Sequence, residues 1–135
     1  MPIIFLFERI FFIRQAFYSD FISTFVAVMK NETQTMEAVA LLKRLIATPS
    51  VSRDEAAAAD VLEAYMKERG LKPRRLGNNV WCVGESFDES LPTVLLNAHI
   101  DTVKPVSSWT RDPFTPTQEG DTLYGLGSND CGGGL

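Results

Sequence analysis

The chain has 135 residues, 45% hydrophobic and 22% charged, with a net charge of −4, 9 Gly, 7 Pro, 2 Cys and a single His. That length and apolar share suit one domain with its own core, and the Gly, Pro and Cys counts exclude collagen-like, low-complexity and disulfide-scaffold chains. The negative charge argues against electrostatic nucleic-acid binding, and with His99 alone the chain cannot complete a zinc site made of several histidines.

Composition changes sharply near Met29. Residues 1–28 hold seven of the nine Phe, and their two Arg balance Glu8 and Asp20, so the net charge resides entirely in residues 29–135. A membrane span needs about 20 largely uncharged apolar residues, whereas the longest uninterrupted run here is the nine residues Phe21–Met29. A secretory signal needs a basic start, and no Lys or Arg precedes Phe7. Residues 1–28 are therefore read as a hydrophobic leader outside the fold, with the folded part at 29–135. Asn31-Glu32-Thr33 matches a glycosylation acceptor by chance, since no credible signal peptide precedes it.

Helical spacing runs from Glu37 to Ala47 through Val39, Leu42 and Ile46, with Thr35 as the expected cap and Pro49 as the stop. Ser52-Arg53-Asp54-Glu55 has the form of a capping box for a second helix. Ala58, Val61, Leu62 and Tyr65 line one face of that helix, and Gly70 comes just after its end. A short strand is expected at Asn79–Val83 after a Gly-Asn turn. Thr93–Asn97 reads as a strand buried on both faces of a mainly parallel sheet. Thr115–Gln118 and Thr122–Tyr124 read as a hairpin. These elements together predict an α/β domain.

The chemistry-bearing residues come directly after the predicted buried strand. In Asn97-Ala98-His99-Ile100-Asp101, alternation along an extended chain puts His99 and Asp101 on the same side. A histidine so placed can ligate a metal while the carboxylate takes its second ring N–H; alone, the pattern equally marks a hydrogen-bonded histidine at a strand end. Gly125-Leu126-Gly127-Ser128-Asn129-Asp130 has Asp130 where a dinucleotide fingerprint needs its third glycine, and an acid there repels a pyrophosphate. A carboxylate among glycines suits a cation with backbone packed close around it, although a solvated turn would look the same. Cys82 reads as an inert core thiol, and Cys131, next to Asp130, forms no C-x-x-C motif with it.

Taken in order, Asn97–Val103, Trp109, Asp112-Pro113-Phe114-Thr115-Pro116, Gly120 and Leu123–Asp130, with the earlier Leu45–Ser52, resemble the zinc-dependent amidohydrolases related to acetylornithine deacetylase. Succinyl-diaminopimelate desuccinylase, carboxypeptidase G and aminoacylase belong to the same family. The resemblance covers Met36 to Leu135 and implies the N-terminal part of a zinc-peptidase-like, three-layer α/β catalytic domain with a mixed sheet. It implies that His99 and Asp130 are metal ligands, Asp130 bridging two zinc ions (cobalt being a possible substitute), and that Asp101 belongs with the catalytic residues as the carboxylate that orients His99. The family draws a Glu-Glu pair, another acidic ligand and a second His from further along its chain. The expectation is therefore an N-terminal fragment, inactive by itself, of a cytoplasmic, homodimeric hydrolase of an N-acyl amino acid. It acts without nucleic-acid or membrane partners. The alternatives are an aminopeptidase or dipeptidase of the same family, a non-catalytic membrane-associated module, and a nucleotide-binding module on Gly125–Gly134. Gly132 and Leu126 stand where many members carry Lys and Arg, which leaves the substrate open.

Overall fold

The computed structural model describes residues 3–5, 32–85 and 87–135, the side chains of 3–5, 32 and 33 apart. The proposed boundary at 28/29, most of the leader and Asn31 lie outside the described residues, whereas residues 3–5 of the leader are described and form a strand paired within the fold. In chain order the elements are strand β1 (Ile3–Phe5), helices α1 (Glu32–Ile46) and α2 (Ala56–Glu68), and strands β2 (Arg74–Leu76), β3 (Asn79–Trp81), β4 (Val94–Leu96), β5 (Thr117–Glu119) and β6 (Thr122–Tyr124). A short 3₁₀ turn closes the order at Gly132–Gly134. The strands pair as β1 with β4 in parallel, and as the antiparallel hairpins β2–β3 and β5–β6. The α/β class expected from the sequence is borne out.

Helix α1 starts earlier than its apolar spacing suggests, which puts Thr35 in its first turn and not at its cap. The stop is where Pro49 requires it. Thr48 Oγ donates to the Arg44 carbonyl at 2.8 Å and its N–H to Leu45 at 3.0 Å, satisfying acceptors that the proline cannot serve.

Helix α2 ends in a Schellman motif: Gly70 takes φ +75°, its N–H bonds the Lys67 carbonyl at 3.0 Å, and the Leu71 N–H bonds Met66 at 3.0 Å. Leu71 then packs on the core. That core joins Ala59, Leu62 and Met66 of α2 to Val80, Cys82 and Ala98. Leu62 and Val80 are the large side chains fully removed from solvent, the expected result of helical spacing on one element and alternation on the other.

Two expectations need correction. Helix α2 starts at Ala56, after Glu55, with no side-chain cap. Ser52 and Glu55 instead serve the turn before it: Asp54 N–H bonds Val51 at 2.7 Å, and the Glu55 carboxylate accepts from the Arg53 N–H and from Asn78 Nδ2. The second concerns β4, which is not buried on both faces. Leu95 remains 37% exposed, because β1 is its one partner among the described residues and nothing described covers that face. Arg75 joins a strand to a helix. From β2 it bonds Asp60 and Glu63 of α2 together with the Gly77 carbonyl, tying the hairpin to the helix.

Candidate metal centre

Beyond β4 the chain continues through residues 97–103 and is pinned by a parallel bridge between Val51 and Thr102. Thr102 N–H donates to Ser50 at 2.8 Å, and Ser52 N–H donates to Thr102 at 3.1 Å. The segment after α1 thus acts as a splint for the His-x-Asp run. Along it, alternation does what the sequence implies: His99 and Asp101 share a side, with Nδ1 3.1 Å from both Asp101 Oδ1 and the Asp101 carbonyl.

Asp130 arrives on the glycine-rich loop after β6. Its Oδ1 lies 2.9 Å from His99 Nε2, so the imidazole is held between two carboxylates. The glycines are there for close approach. A Cβ on Gly125 would lie 2.4 Å from Ile46 Cγ2, one on Gly127 2.7 Å from Thr102 Cγ2, and one on Gly132 2.6 Å from the Gly127 carbonyl. Gly127 also takes φ +76°, and the loop closes through Gly132 N–H to Gly127 at 2.9 Å and Leu126 N–H to Pro113 at 2.7 Å. This is a loop pressed onto α1 and onto the segment that carries His99 and Asp101, a different arrangement from one open to cradle a phosphate.

Burial of His99 disfavours its charge, but the Asp130 hydrogen bond, the Asp101 carbonyl and the two carboxylates outweigh that. The imidazole therefore titrates above the ordinary histidine value. The Asp130 side chain is 89% exposed, so its outer oxygen faces open solvent. Behind the pair, a shallow cleft is lined by Leu42, Ile46, Leu126, Thr102 and Cys131. Cys82 is buried in the core and burial pushes its thiol pKa up, as an inert thiol requires.

The three residues singled out from the sequence are thus brought together. An imidazole nitrogen facing a carboxylate oxygen, with a second carboxylate on the other ring nitrogen, is a donor set that fits a borderline cation. Among the described residues no group of three or more His, Cys, Asp or Glu converges as a complete cage. One participant was missed. Ser52 Oγ–H donates to Asp101 Oδ2 at 2.5 Å, across 49 positions of sequence. Its place in an apparent capping box concealed that role, and no local signal could have found it.

No helix among the described residues is long and apolar enough to cross a membrane. Residues 95–135 match the model of peptidase family M20/M25/M40. The chain is 38% identical over 97 residues to a succinyl-diaminopimelate desuccinylase of Stenotrophomonas maltophilia, an alignment covering 67% of this chain and 25% of that protein. It is 33% identical over 113 residues to an acetylornithine deacetylase of Edwardsiella ictaluri, covering 75% of this chain and 30% of that protein. The chain therefore spans a quarter to 30% of the length of these relatives. The resemblance seen in the order of motifs is borne out.

Proposed function

Starting from a chain whose residues 95–135 match peptidase family M20/M25/M40, we propose that it supplies the first metal-ligating part of an amidohydrolase acting on an N-acyl amino acid. The observation that carries this reading is the 2.9 Å approach of His99 Nε2 to Asp130 Oδ1, with Asp101 behind the ring. The relatives supply the substrate class: their names specify removal of a succinyl or an acetyl group from an amino acid.

In this reading His99 Nε2 and the Asp130 carboxylate hold divalent cations, zinc by preference and cobalt as a substitute. When bound, such ions lower the pKa of water to near 7 and polarise an amide carbonyl. The chain's own groups prepare for that. Nδ1 keeps its proton and hydrogen-bonds to the Asp101 carbonyl, with the Asp101 carboxylate beside it, which leaves the Nε2 lone pair for a ligand and raises its basicity. Asp130 is carried by the tight glycine loop while its carboxylate stays open on the solvent side, where it would be available to hold a cation.

Among the described residues the donors brought together at the site amount to one imidazole and one carboxylate, whereas a two-ion site and a general base for the departing amine need several further groups. The 135-residue polypeptide is therefore expected to bind zinc weakly and not to turn over. The experiment is a zinc titration by calorimetry with assays against N-acetylornithine and N-succinyl-diaminopimelate. Zinc uptake that requires His99 and Asp130 supports the reading. Absence of uptake rejects it, and turnover by the chain alone would refute the expectation that further groups are needed.

A further inference from the structure

We infer that Ser52 is a positioning residue for the candidate metal centre, acting through Asp101 to set the orientation of His99. The inference rests on the metal-centre reading and deepens it. Three close contacts form an unbroken series, the His99 Nδ1 hydrogen bond itself going to the Asp101 carbonyl beside the carboxylate. Ser52 Oγ–H donates to Asp101 Oδ2 at 2.5 Å, Asp101 Oδ1 lies 3.1 Å from His99 Nδ1, and His99 Nε2 lies 2.9 Å from Asp130. A carboxylate held on one oxygen alone can turn about its Cβ–Cγ bond. With the serine hydroxyl on the far oxygen, its plane is fixed and the near oxygen stays on the imidazole.

The backbone around Ser52 is built to hold that hydroxyl in place. Its N–H is bonded to the Thr102 carbonyl at 3.1 Å, one residue beyond Asp101, so donor and acceptor are referenced to the same strand. The turn that carries it has Arg53 at φ +80°, the one non-glycine with positive φ among the described residues. A type II turn needs that angle at its third position and usually places Gly or Asn there. The Glu55 carboxylate holds the turn from the other side through the Arg53 N–H and Asn78 Nδ2. A serine serving only as a helix cap would need none of this, and helix α2 takes no cap from it.

His99 is the only histidine, so isotope-labelled histidine in the full 135-residue chain reports on a single ring. In the wild type, the Nδ1–H proton should be visible and protected from exchange. Ser52→Ala should broaden it away and weaken zinc binding by about 3- to 10-fold, less than the 10- to 100-fold typical of losing the ligand's direct partner. Ser52→Thr, which keeps the hydroxyl, should restore both. Ser52→Cys, close in size but a weak donor, gives the same reading if the alanine variant fails to fold. An unchanged Nδ1–H signal in a folded Ser52→Ala chain overturns the inference, as does equal loss in Ser52→Thr. If wild type takes up no zinc, the metal-centre reading falls, while the Nδ1–H comparison still decides the role of Ser52.

Discussion

Gly127 lies against Thr102 so closely that a Cβ at Gly127 would come within 2.7 Å of the threonine Cγ2. This contact sets the distance between the two halves of the candidate centre, because Thr102 is next to Asp101 in the chain and Asp130 is three residues past Gly127. Gly127→Ala meets both this clash and a φ of +76°. It should cost roughly 2–4 kcal/mol, the sum of an overpacking term and a left-handed backbone term. Gly120, with φ +58° and nothing within 4 Å of its Cβ position, isolates the second term. Gly120→Ala should cost about 1 kcal/mol. Urea unfolding of the two variants measures the difference.

Removal of the ring and removal of its partner should be distinguishable by calorimetry. His99→Ala deletes the nitrogen donor and is expected to abolish specific zinc uptake. Asp101→Asn leaves that donor in place, so binding should persist with an affinity lower by about 10- to 100-fold. Equal affinities in wild type and Asp101→Asn would show that the carboxylate does not prepare the ring.

Without metal, His99 makes stability depend on pH in a fixed direction. Its pKa in the folded chain is raised above the ordinary 6.5. It therefore stabilises the fold fully below that value and loses the contribution as pH rises through the folded pKa. The urea midpoint attributable to His99 should fall as pH rises from the ordinary 6.5 through the higher folded value. Asp130→Asn should bring the His99 titration, tracked by NMR, down towards its ordinary value. A titration unmoved by Asp130→Asn would contradict the 2.9 Å pairing.

Arg53 offers a test of turn strain. At φ +80° a residue with a Cβ carries a steric penalty that glycine avoids. Arg53→Gly should stabilise the chain by about 0.5–1 kcal/mol, after allowing for the greater freedom of glycine when unfolded. A loss of stability would mean that the arginine side chain contributes more than its backbone costs.

Much of this protein could be read from local pattern. The end of α1 at Pro49, the Gly70 exit from α2, the Gly77-Asn78 turn before β3 and the turn at Gly120 all depend on backbone preferences acting within a few residues. The pairing of His99 with Asp101 was equally accessible, because it results from alternation along a single extended segment. The identity of Asp130 as a candidate ligand came from the order of motifs.

What the tertiary structure alone decided lies between distant segments. Ser52 has the local credentials of a helix cap, and Glu55 those of its partner, yet the Val51–Thr102 bridge brings a better acceptor for Ser52, the charged Asp101 carboxylate. The role of the glycines was settled in the same way. A Gly-rich run fits a flexible turn, a phosphate cradle or a tight packing surface, and only the positions of Ile46 and Thr102 make it the last. Local preference acts over one turn of chain and is worth tenths to about one kcal/mol per residue, so where a long-range charged hydrogen bond of about 1.5–3 kcal/mol competes, the long-range partner prevails.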